Sequence, residues 1–356
     1  MSTVSTAGTP SFHFSERSKR LCVELIQADV DITFRFISPD VINITYSAAV
    51  AHGQDERVYD TLPKCPEVRI RENRDTITAS CGDLYLVILK NPFSYEIRRE
   101  SRILLKQAVD DKDIVGNRYT DLMKFETRDS RVVSIRDSFS VTHDEKFYGF
   151  GEKFSPINKR GLNIEAWNCD AMGVGSDKAY KNIPFFLNSN NYGIHINTAS
   201  RICYSLATES FDAYSITVED EVLDLYFISG DSFKGIISRY MDLTGRMEAL
   251  PPKWSFGLWM GRYGYTSRKQ IEEIGQKLRE RKIPADVIGI DPFWLKNGHY
   301  CDFIFNTEKF PDPPEMLKSL RENGFKTRIW IQPTVSVKTA MFSEGDEKDF
   351  FIKDRE

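Results

Sequence analysis

From about residue 18 to residue 230 the sequence is a succession of short segments of β type, several with apolar residues at every second position, and the character changes near residue 231. That change of period restricts the chain to a β-layered unit followed by something built from strands and helices. In VDITFRFIS, Val30, Ile32, Phe34 and Phe36 alternate with Asp31, Thr33 and Arg35, as a strand with one buried face requires. VINITY, DTITASCG, DLYLVILK, RVVSIRDSFSV, YGIHIN and YSITVED continue in the same way, with Gly, Asn, Asp and Pro between them. Many short strands broken by turn residues predict an antiparallel sandwich.

The second part has a different rhythm. SFKGIISRYMDLTG places Phe233, Ile236, Ile237 and Tyr240 on one helical face, and Leu250-Pro251-Pro252 marks a boundary after it. SFGLWM (255–260) then reads as a strand, SRKQIEEIGQKLRERK (267–282) as an amphipathic helix opened by Ser267, and ADVIGID (285–291) as a nearly continuous apolar strand. PPEMLKSLRENG (313–324) carries Pro at its start and Gly at its end, as helices do, and KTRIWIQ (326–332) is a third strand. A βαβαβ order leads into either a doubly wound sheet or a (β/α)8 barrel. A complete barrel takes about 250 residues, more than lie after Pro251, so a barrel interrupted after about three strands is expected. The boundaries read from the sequence are a β-sandwich over 1–235, a linker helix and Pro-Pro boundary over 236–252, and an incomplete barrel over 253–356. The charged end, EGDEKDFFIKDRE, is expected to be solvated or frayed.

Several function classes are disfavoured. Lys and Arg number 48 against 52 Asp and Glu, a formal net charge of -4, which offers no broad positive field to a phosphate backbone. No apolar run approaches the roughly 20 residues that span a bilayer, and the first residues lack the apolar core of a secretory signal, so a soluble cytoplasmic protein is expected. Cys22, Cys65, Cys81, Cys169, Cys203 and Cys301 show neither zinc-type nor disulfide-framework spacing and read as mostly reduced structural thiols. Asn43-Ile44-Thr45 is a formal glycosylation sequon inside an apolar strand, where a strand interior is the stronger reading. The GxG pairs in MGVGSD and GFGE do not join a strand to a helix as a dinucleotide site needs, and P-loop, HExxH and GxSxG motifs are absent. His13, His52, His143, His195 and His299 lack ligand spacing, so no metal and no organic cofactor is expected.

FYGFGEKF (147–154) resembles the YGLGE-type segment of glycoside hydrolase family 31. EAWNCDAMGVGSDKAYKNIPFFLNSNNYGIHIN (165–197) resembles the loop and strands that follow it there. PPKWSFGLWMGRYGYTS (251–267) is similar to that family's first barrel strand and its loop, and 281–333 to its second strand through its third. The resemblance implies a galactose-mutarotase-like sandwich leading into a catalytic (β/α)8 barrel, and a retaining α-glycosidase acting on terminal α-linked xylose or glucose of an oligosaccharide. IDPFW with HYCDFIFN and FPDP is nearer to the α-xylosidase branch, although Pro292 stands where that branch carries a small cysteine; α-glucosidase is the alternative.

Both catalytic aspartates of the family lie on later barrel strands, so the resemblance places neither before Glu356 and implies that the chain alone is inactive. It implies sugar contacts for Asp291 at the end of the second strand, Trp330 at the end of the third, and Tyr265 in the loop after the first. Asp170, on a sandwich loop, belongs to the same set, with Phe293 and Tyr300 as weaker members. The residues alone allow plainer roles: Asp291 as a helix cap, Trp330 and Tyr265 as packing, Asp170 as a turn residue. Two other readings stand beside the enzyme: a non-catalytic sugar-binding chain, and a truncated gene product. Whether the chain forms oligomers is not legible in it.

Overall fold

The structure is a computed structural model that describes residues 3–6, 10–15, 20–25, 30–48, 67–108, 123–129, 131–296 and 301–352; Tyr300 and His299 lie outside the described residues. The chain divides into two units, residues 1–246 and 247–356.

The first unit is almost entirely strand. Its strands are Thr3–Thr6 (β1), Pro10–Ser15 (β2), Arg20–Leu25 (β3), Val30–Ser38 (β4), Val41–Ser47 (β5), Arg69–Glu72 (β6), Thr76–Cys81 (β7), Leu84–Lys90 (β8), Phe93–Arg99 (β9) and Arg102–Lys106 (β10). They continue with Lys124–Arg128 (β11), Arg131–Ser140 (β12), Phe147–Gly151 (β13), Asn163–Ala166 (β14), Asn182–Asn188 (β15), Tyr192–Ile196 (β16), Ile202–Ser210 (β17), Ala213–Val218 (β18) and Val222–Ser229 (β19). One sheet has the order β1-β11-β12-β18-β17-β14, a second β13-β15-β16-β19-β5-β4-β3-β2, and β6 to β10 form a five-stranded meander. One apolar cluster draws on all three, joining Ile32, Phe34 and Ile44 to Leu86, Ile88 and Ile97 and to Phe125, Ile135 and Phe139. The expected alternation in β4 is present: Val30, Ile32, Phe34 and Phe36 are buried, Asp31 is exposed, and Thr33 and Arg35 are half-buried.

β5 departs from alternation, because six of its seven residues are buried. On its second face Asn43 and Thr45 bond to Asp224, and Val41 packs with a helix, Phe233–Thr244 (α1), capped by Ser232, whose side chain accepts from the Gly235 N–H. Its Ile236 and Leu243 pack with Ile37, Val41, Phe185 and Ile228, and the Tyr240 ring stacks on Phe185 with centroids 4.0 Å apart. The helix read as a linker over 236–252 therefore belongs to the first unit, and the exposed stretch is 244–254. Asn43 is buried and its amide donates to Asp224 and to the Leu225 carbonyl, so the sequon is strand interior. Cys81 is disulfide-bonded, an exception to the reading of the cysteines as mostly reduced thiols, while Cys169, Cys203 and Cys301 are free.

In the second unit, Leu258–Gly261 (β20), Ala285–Ile290 (β21) and Lys326–Ile329 (β22) form a parallel sheet in that order. The helices Arg268–Glu280 (α2) and Pro313–Glu322 (α3) connect them. Ser267 and Asp312 cap these helices, accepting from the Gln270 and Glu315 N–H groups. Ile271 and Leu278 of α2 and Met316 and Leu320 of α3 pack against Ile288 and Ile290. The first strand starts later than its sequence suggests: after Pro252 the chain makes a 3-10 turn over Lys253–Phe256, and pairing begins only at Leu258. The charged end is also more ordered than expected, since Ala340–Glu347 is a helix (α4) capped by Thr339, with the Phe351 ring stacked on Phe342.

Candidate functional site

A parallel strand buried on its helix side ends where its backbone turns away, and side chains at that end project from the sheet. β21 stops at Ile290 because Asp291 precedes Pro292, which opens a 3-10 turn over Pro292–Trp294. Asp291 stands at the cap position, yet its side chain makes no capping hydrogen bond. Instead Oδ1 accepts from Nη1 of Arg328, on β22, at 3.0 Å. The Asp291 side chain is 17% exposed and that of Arg328 44%, which leaves the pair accessible from solvent.

Trp330 follows β22 and is tied to both neighbours: its N–H donates to the Ile290 carbonyl at 2.8 Å, and its own carbonyl accepts from Trp294 Nε1 at 2.9 Å. Its side chain is half-buried and packs against the apolar cluster. Phe293 lies over the loop after β20, with the ring of Tyr263 edge-on to it at 5.8 Å. Gly264, at φ 94°, turns the chain between two tyrosines. Tyr263 is 75% exposed, whereas Tyr265 is fully buried among Ile271, Ile290 and Phe310. The Tyr265 hydroxyl has no hydrogen-bond partner among the described residues, and burial pushes it up from the ordinary tyrosine range. The aromatic wall read at Tyr265 is thus core packing in this structure. Asp291, Arg328 and Trp330 are brought together, and Phe293 borders the next loop.

Asp170 lies in the first unit, on the exposed loop between β14 and β15. Its Oδ1 accepts from the Tyr180 hydroxyl at 2.6 Å and from the Met172 N–H at 3.0 Å, and these bonds hold its carboxyl below the usual carboxylate range. The loop is clamped at its base. Lys153 Nζ donates to the Glu165 and Asp177 carbonyls at 2.5 and 2.9 Å, and the Asn182 amide donates to the Trp167 and Ala179 carbonyls. Burial pushes the Lys153 ammonium down.

Residues 248–356 match the glycosyl hydrolases family 31 TIM-barrel domain, and residues 31–204 the glycosyl hydrolase 31 N-terminal galactose mutarotase-like domain. The chain belongs to glycoside hydrolase family 31. It is 32% identical over 290 residues to an α-xylosidase of Lactiplantibacillus pentosus, an alignment that covers 81% of this chain and 36% of the relative. Over 211 residues it is 38% identical to an α-xylosidase of Emericella nidulans, covering 59% of this chain and 27% of that one. A family 31 dextranase of Flavobacterium johnsoniae, solved with isomaltotriose, superposes with a TM-score of 0.79 at 26% identity, over 96% of this chain and 40% of its own. The chain therefore spans well under half the length of these family 31 relatives.

The sequence singles out Asp291 and Trp330 as candidates and does not single out Arg328, which the structure places beside Asp291. The available signal was a cation two positions before Trp330 in KTRIWIQ. Among the described residues, no group of three or more His, Cys, Asp and Glu is arranged to hold a metal ion, and no helix is long and apolar enough to cross a membrane.

Proposed function

We propose that the protein carrying this chain is a retaining α-glycosidase that removes terminal α-linked xylose from oligosaccharides. The observation that carries the reading is the 32% identity to an α-xylosidase, which runs over 290 residues and through both units. In a retaining mechanism one carboxylate attacks the anomeric carbon to form a glycosyl-enzyme. A second, about 5 to 5.5 Å away, protonates the leaving oxygen and then takes a proton from the hydrolysing water. Both carboxylates are assigned to strands beyond Glu356. Asp291 accepts hydrogen bonds from sugar hydroxyls, Trp330 offers an aromatic face to the C–H surface of the ring, and Phe293 contacts the same sugar, with Asp170 a sugar-contacting residue of the first unit. Glucose is the second reading, favoured by the relative solved with a glucose oligomer.

The test is steady-state hydrolysis of p-nitrophenyl α-xyloside and α-glucoside by the native protein. A higher kcat/KM on the xyloside supports the first reading, a higher value on the glucoside the second, and hydrolysis of neither overturns both. The purified 356-residue chain is expected to turn over neither substrate, because a retaining site needs both carboxylates. Turnover by that chain would place a catalytic pair within residues 1–356.

A further inference from the structure

Strand pairing sets Gly261, Gly289 and Arg328 in one row across β20, β21 and β22. The two glycines leave a lane beside the arginine: a Cβ on Gly289 would stand 3.6 Å from Arg328 Nη1, 3.7 Å from its Cδ and 3.7 Å from the Gly261 Cα. Arg328 extends along that lane and donates to Asp291 Oδ1. Among the described residues this is the only hydrogen bond or ion pair of either side chain.

An ion pair with one partner 44% exposed adds little to stability, so folding alone gives little reason for a cation at this point of the strand. Its effect on Asp291 is larger. The terminal torsion of an aspartate is broad, and an unheld carboxylate samples many orientations. A charge-assisted bond to one oxygen fixes the plane of the group and leaves the other oxygen as the open acceptor.

We infer that Arg328 is a positioning residue for substrate binding, holding the Asp291 carboxylate so that Oδ2 accepts a hydrogen bond from a sugar hydroxyl. This rests on the reading of Asp291 as a sugar-binding carboxylate. Arg328 acts through Asp291.

A double-mutant cycle in the native protein tests this, with kcat and KM measured on whichever aryl glycoside it hydrolyses faster. Asp291→Asn is expected to lower kcat/KM by at least about 100-fold, and Arg328→Met by about 10- to 100-fold with an unchanged melting temperature. The double variant should be no worse than Asp291→Asn within about 3-fold, because the arginine has nothing left to orient. Arg328→Lys should recover part of the loss, since it keeps the charge and loses the planar fork. Additive losses, or an Arg328→Met protein with full kcat/KM beside a crippled Asp291→Asn, would overturn the role of Arg328 alone. Full kcat/KM in Asp291→Asn would overturn the sugar-binding reading and the positioning role with it.

Discussion

Asp137, wholly buried on β12, accepts from the hydroxyls of Tyr46 on β5 and Tyr95 on β9, from the Gln107 amide after β10, and from the Ser138 N–H. These donors come from all three sheets of the first unit, so one carboxyl ties the sheets together at their common core. Burial raises its pKa, and the four bonds offset part of that rise. Asp137→Leu is expected to cost about 2–5 kcal/mol, because it leaves buried donors without an acceptor. Urea unfolding of the 356-residue chain measures this; a loss under about 1 kcal/mol would mean the donors find other partners. His195 gives a pH signature. Its Nδ1–H donates to the Pro184 carbonyl at 3.2 Å, and burial lowers its pKa from about 6.5 to about 4. The fold therefore prefers neutral imidazole: this stability is present in full above pH 6.5 and is lost as the pH falls from about 6.5 to about 4. Since the ring is only partly shielded from water, the loss is about 1–3 kcal/mol. Unfolding midpoints across that range should fall, and His195→Gln should flatten the slope; an equal slope in both proteins would assign it to other groups.

At the level of elements, the FYGFGE segment shows what its glycines are for. A Cβ on Gly149, at φ 119°, would lie 2.8 Å from the Phe185 carbonyl oxygen, and one on Gly151, at φ 80°, would lie 2.4 Å from that of Lys181. Only glycine lets β13 run this close to β15 through the irregular register between them. Gly151→Ala is expected to cost at least about 2 kcal/mol, from a strained backbone and a clash with main chain that cannot yield. Differential scanning calorimetry would show a fall of roughly 4 °C or more in the melting temperature of the first unit; an unshifted transition would mean that β13 can move. The period-2 and helical patterns placed β4, β7, β8, α2 and α3 within a few residues of their observed bounds, since alternation and capping are local properties of the chain. β20 starts later than its pattern suggests, and α4 is not legible as a helix, for the complementary reason. A proline-led turn delays pairing at β20, and the ring of Phe351, beyond the end of α4, packs over Gly345.

For the whole molecule, residues 244–254 are all exposed and contain Arg246 and Lys253. Limited trypsinolysis is expected to cut there and to leave the sandwich unit as a stable fragment that unfolds cooperatively; faster loss of the sandwich than of the second unit would contradict the division. β20 lies at an edge of its sheet among the described residues, with Leu258 and Trp259 each 46% exposed and Phe256 71%. An apolar edge of this kind invites pairing with other chains. The 356-residue chain should therefore associate at micromolar concentration while the sandwich fragment remains monomeric, which light scattering distinguishes. The sequence by itself determined the switch from period 2 to strand and helix, most element bounds, the helix caps and the family resemblance, all of which depend on residues close together in the chain. The tertiary structure decided that Tyr265 is buried while Tyr263 is open, that Asp137 joins three sheets, and that Arg328 rather than a helix N–H meets Asp291. Those outcomes follow from register between strands remote in sequence, and no local pattern encodes that register.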